Sequence, residues 1–122
     1  MLSMEELNLT STEYSKEFII KRAEHYKAVC EEGMSYIDKH RDYKSARTLL
    51  TELRSMLRLD AKGMMSSLVP KNAPKYLREY YSHIHGASVE VVGAVKNTNL
   101  GTSFAGIMSE INWCINQVKR AE

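Results

Sequence analysis

Proline and glycine are scarce in this chain, with two and six among 122 residues. That excludes collagen-like repeats, polyproline stalks and low-complexity tracts. Cysteine is nearly absent: Cys30 and Cys114 lie outside any C-x-x-C pair and cannot build a disulfide framework. They read either as two buried free thiols or as one disulfide, which would point to an oxidising compartment. No apolar run approaches the roughly 18 residues a bilayer-spanning helix needs. Neither sign of charge prevails, since 17 basic residues face 15 acidic ones for a net +2. Bulk charge therefore argues against binding to nucleic acid or to an anionic membrane. The start, Met1-Leu-Ser-Met-Glu-Glu, is acidic and has no apolar stretch, unlike a signal or transit peptide.

What is present is an ordinary globular composition, 43% hydrophobic and 26% charged, at a length that suits one domain. From Thr10 onward the pattern keeps a helical period. Thr10-x-x-Glu13 has the form of a capping box. Ile19, Ala23, Tyr26, Cys30, Met34 and Ile37 then recur at steps of three and four, which puts them on one face. Asp38-Lys-His-Arg-Asp42 breaks the pattern, with Asp42 placed to cap the second helix. The second stripe is Tyr43, Ala46, Leu50, Leu53, Leu57, Ala61, Met64 and Leu68, a helix about 40 Å long at 1.5 Å per residue. Val69-Pro70 stops it, and Pro74 suits a first helical turn. Leu77, Tyr80 or Tyr81, Ile84, Ala87, Val91 and Val95 mark a third helix. Asn97 to Gly101 read as a turn, and Phe104, Ile107, Met108, Ile111, Cys114, Ile115 and Val118 mark a fourth. The spacing predicts helices over about 11–39, 42–69, 73–96 and 102–120 and no strands. Short connections between them imply an all-α, up-down-up-down four-helix bundle. Glycines inside these helices, Gly33 and Gly86 among them, each cost about 1 kcal/mol relative to alanine. They suggest close helix approach, either inside the bundle or toward a partner.

Chemistry-bearing patterns are few. Arg78-x4-His83 has the spacing of HEPN ribonucleases, but a chain with four histidines meets that spacing easily by chance, and Glu79 would repel phosphate. His83 and His85, two apart, point to nearly opposite sides of a helix. Glu79 and His83 share a face, yet two ligands do not make a zinc site. His25 and His40 have no partner at useful spacing. Met34, Met56, Met64, Met65 and Met108 read as core filling. Arg47, Arg54, Arg58 and Lys62 follow steps of seven, four and four, a basic stripe beside the core face of the second helix. It is either a solvated face or a surface for docking acidic groups, which suit the arginine fork. No catalytic, cofactor-binding or metal-ligating set is expected.

Around the second helix the chain reads Asp42-Tyr43, Leu53-Arg54, Leu57-Arg58-Leu59-Asp60 and Gly63-Met-Met-Ser-Ser-Leu-Val-Pro70-Lys71. This segment resembles the PsbQ family, extrinsic luminal proteins of photosystem II. In that family an aromatic residue opens the helix, a Leu-Arg-x-x-Leu-Arg-x-Asp-like run comes next and a Ser-Ser-Leu-x-Pro-Lys-like end closes it. The similarity runs loosely from Tyr14 to Lys119 and specifically from Tyr43 to Lys71. Tyr43 stands where the family commonly has Trp, the aliphatic-Asp-x-Ala-Ala pattern of its third helix is missing, and so is the proline-rich extension of the plant members. The resemblance implies a four-helix bundle without catalytic residues or cofactors, peripheral to the thylakoid membrane on its luminal side and starting after a processed leader. Its partners would be the luminal face of the photosystem II core and other extrinsic subunits. There it would stabilise the oxygen-evolving complex and help retain calcium and chloride. A PsbQ-like subunit of the thylakoid NADH-dehydrogenase-like complex is the nearest alternative, followed by a cytosolic or phage-encoded helical adaptor and, more remotely, the ribonuclease. On the docking reading, Arg47, Arg54, Arg58 and Lys62 form the protein interface.

Overall fold

The computed structural model describes residues 15–67, 74–94 and 99–121, with side chains at all of these except 63–67 and 90–94. Four α-helices take up nearly all of them: α1 (Lys16–Asp38), α2 (Tyr43–Ser67), α3 (Lys75–Ala94) and α4 (Leu100–Arg120). No strand occurs among the described residues.

Side-chain oxygens that satisfy the free N–H groups of a first turn decide where these helices begin. Ser15 is extended, and its Oγ accepts from the Phe18 N–H at 3.1 Å. α1 therefore starts at Lys16, later than the hydrophobic period suggests, and the Thr10–Glu13 box lies outside the described residues. Asp42 caps α2 as expected: Oδ1 accepts from the Ser45 N–H at 3.0 Å and Oδ2 from the Ser45 hydroxyl at 2.6 Å. The Ser45 hydroxyl and then its N–H hold the Asp42 carboxyl below the usual aspartate range. Asn99 Oδ1 accepts from the Thr102 N–H at 3.2 Å, so α4 opens at Leu100 and takes in Gly101, which its composition alone would place in a turn. Pro74 precedes α3, and its carbonyl accepts from the Leu77 and Arg78 N–H groups at 3.1 and 3.2 Å. Between α1 and α2 the chain turns through Arg41 at φ 53°, in the left-handed region.

The side-chain ties between helices fix their directions. Arg22 near the start of α1 pairs with Asp60 near the end of α2. Tyr80 near the start of α3 bonds the same Asp60. Lys16 Nζ donates to the carbonyls of Lys119 and Ala121 at 3.1 and 2.6 Å, which joins the start of α1 to the end of α4. The helices thus run up-down-up-down, each packed on its chain neighbours, with α1 closing the ring against α4.

The core follows the sequence stripes with one correction. Ala46, Leu50, Leu53, Leu57 and Ala61 are buried, and Leu49 and Met56 widen the α2 seam. Tyr43 does not belong to it: the ring is 52% exposed. As the first residue of α2 it stands at the rim of the bundle beside half-buried Met34 and Ile37, where none of the described residues adds a further layer over it. Met64, Leu68, Val91 and Val95 lie outside the described side chains. Tyr80 rather than Tyr81 takes the core position on α3. Gly33 is buried where α1 crosses α4, and a Cβ there would overlap the Phe104 ring.

Candidate functional site

At four residues per step and 1.5 Å of rise per residue, cations on one side of α2 recur about every 6 Å. Arg54, Arg58 and Lys62 follow that step next to Leu53, Leu57 and Ala61, so burial of the seam sets them along its edge. They open onto a groove of about 570 Å³ between α2 and α3, which His85 and Ser88 of α3 line from the opposite wall. Ser55 adds a hydroxyl, and no carboxylate lines the groove among the described residues. Arg54 is half-buried, and its Nε has no hydrogen-bond partner among the described residues, while Arg58 and Lys62 are exposed. Arg47, the fourth residue of the basic stripe, is exposed but does not line the groove. Like charges along a concave wall reinforce one another's field, so the groove is locally more positive than the small net charge suggests.

The two neighbouring histidines of α3 point to opposite flanks, as their spacing requires. His85 reaches the groove, whereas His83 turns to α4. There His83 Nδ1 lies 3.0 Å from Glu110 Oε1, and Nε2 lies 3.7 Å from Glu79 Oε2. Its ring sits 4.9 Å from that of Trp113, tilted by 54°. Arg78 is exposed while His83 is nearly buried, so the two members of the Arg-x4-His pattern have different surroundings. Among the described residues no three ligating side chains are placed to hold a metal ion.

A third polar group is one that the hydrophobic period does not announce. Asp60 is wholly buried, with Oδ1 2.7 Å from Arg22 Nη1. Oδ2 accepts from the hydroxyls of Tyr26 at 2.8 Å and Tyr80 at 2.6 Å. Burial pushes the Asp60 carboxyl upward, and Arg22 and the two hydroxyls pull it back only in part. Burial and the nearby carboxylate keep Tyr80 protonated. The guanidinium of Arg22 also lies 4.5 Å over the Phe18 ring. Charged residues inside the apolar period, Arg22 beside Ala23 and Asp60 beside Ala61, were the available signal. With 1% and 0% of their side chains exposed, these groups join helices and present nothing to a solute. Cys30 and Cys114 are free and buried, and burial pushes both thiols up to about 12, so they stay protonated.

Along the middle of α2, Leu53 and Leu57 belong to the core, Asp60 belongs to the buried network, and Arg54 and Arg58 reach the groove. No family model, curated protein or solved structure matches this chain.

Proposed function

We propose that this chain is a non-catalytic docking protein whose α2–α3 groove holds an acidic protein surface. One observation carries the reading: Arg54, Arg58, Lys62 and His85 converge on a groove with no carboxylate among its described lining residues. Arginine forks match carboxylates in shape as well as charge, and such complementarity supplies specificity and fast association.

The resemblance over Tyr43–Lys71 gives the reading its finer form, an extrinsic luminal subunit of photosystem II. On that form the groove meets the luminal face of the core or another extrinsic subunit. The docked bundle limits exchange of calcium and chloride with the bulk lumen by covering the oxygen-evolving side. Cys30 and Cys114, both free thiols, favour a second form, a helical adaptor in a reducing compartment that uses the same groove.

Replacing both Arg54 and Arg58 with Glu separates these outcomes. The variant keeps its helical circular dichroism and loses at least about tenfold in retention on salt-washed photosystem II membranes, the scale of a few lost charge contacts. Failure of the unaltered protein to bind those membranes overturns the luminal form. Retention on immobilised polyglutamate then reads the groove alone, and a double variant retained as well as the unaltered protein removes the groove from the interface.

A further inference from the structure

Trp113 is the largest apolar side chain left open among the described residues, 56% exposed. Its ring rests against His83, and Glu110 and Glu79 flank that histidine. One flank of α3 therefore carries an aromatic platform with two carboxylates, and the other carries the groove with Arg54, Arg58 and Lys62. Between them runs the outer strip of α3. Ser82 and Val89 stand there, Ser82 exposed and Val89 60% exposed, with exposed Arg78 four residues before Ser82, while Gly86 lies toward α4, where a Cβ would come 3.2 Å from Glu110 Oε1. Opposite chemistries on the two sides of this strip make the surface complementary to itself. A two-fold axis lying between the copies and parallel to α3 sets each groove against the other copy's Trp113 platform.

We infer that this chain forms an isologous homodimer across the outer face of α3. Groove arginines of each copy stack on Trp113 of the second copy and pair with its Glu110 and Glu79. The inference rests on reading the groove as a docking surface and names a second copy as its acidic partner. Guanidinium over indole is the most favourable cation–π pairing among protein side chains, and Trp and Arg dominate interface energetics. Leu59 and Val89, 51% and 60% exposed, would be covered by the same association.

Sedimentation equilibrium of the full chain tests this. The expected result is a dimer at about 50 mM salt that dissociates as salt rises, because rim charge pairs are screened. Arg58→Glu and Glu110→Lys each give monomers, since both symmetric contacts then bring like charges together. Their equimolar mixture dimerises, because in the mixed pair both contacts join opposite charges again. Glu79→Lys, which leaves the His83–Glu110 bond in place, repeats the acidic arm, and Trp113→Ala raises the dimer Kd at least about tenfold with unchanged circular dichroism. An unaltered protein that stays monomeric up to about 200 µM, where even weak specific association shows, overturns the dimer. So does a dimer indifferent to both reversals, or a mixture that stays monomeric. If the dimer fails while the Arg54/Arg58 variant still loses retention on acidic targets, the docking function stands without it. A dimer that forms while that retention is unchanged assigns the groove to self-association alone.

Discussion

Asp60 brings a carboxyl group to the centre of the bundle, where no water reaches it. What makes that tolerable is the set of donors from two other helices: Arg22 and Tyr26 of α1 and Tyr80 of α3. Removing one member takes a buried bond from each group it served in a medium of low polarity, and the penalty is larger than the net gain the network supplies. Asp60→Ala should cost about 3–5 kcal/mol, because it takes from the buried Arg22 guanidinium the carboxylate that lies 2.7 Å from it. Tyr80→Phe, which deletes one hydroxyl and keeps the ring, should cost about 1 kcal/mol. Urea unfolding followed by circular dichroism measures both, and an Asp60→Ala loss no larger than that of Tyr80→Phe would show that the Arg22–Asp60 pair does not hold α1 to α2.

Among the helices, the starts and one crossing are the points of control. Gly33→Ala adds a methyl group where the Phe104 ring already lies. Alanine favours the helix by about 1 kcal/mol, but overpacking a closed core costs about 1–3 kcal/mol. The net outcome expected is destabilisation, read as a lower urea midpoint, and a rise in midpoint would mean that Phe104 yields freely. The Asp42 cap makes α2 sensitive to acid. Its folded carboxyl lies below the unfolded aspartate value of about 3.9, so the cap's contribution is complete above that value and fades as pH falls through the folded value. Asp42→Ala should therefore be less stable than the unaltered protein at pH 7, with the gap narrowing at pH 3. A gap independent of pH would mean that the carboxylate does not act as the cap.

The whole molecule separates its two uses of charge. Arg22 and Asp60 are spent inside, holding α1 to α2, while Arg54, Arg58 and Lys62 stand along the edge of the apolar seam and line the groove. Reversing Arg54 and Arg58 should move the melting temperature by only a few degrees, since Arg58 is exposed and Arg54 half-buried at the seam's edge, while retention on acidic targets falls. A collapse of the melting temperature would make these arginines structural. Three of the four stripe residues reach the groove because a four-residue step keeps a helix face. Arg47, seven residues ahead of Arg54, stays outside it because the groove does not extend that far along α2. His85 and Ser88 could not be assigned to the groove from the sequence, since nothing local says which flank of α3 meets α2.

By itself, the sequence determined the four helices, their apolar faces and their antiparallel order, because period, caps and loop length are local properties of a chain. Tertiary structure alone decided that Asp60 meets Arg22, Tyr26 and Tyr80, that Gly33 is filled by Phe104, and that His83 and His85 serve different neighbours. Those outcomes depend on the rotation of each helix about its axis and on which residues a neighbour presents at the same height. Both are set by packing the four seams together at once, and no single stretch of the chain contains them.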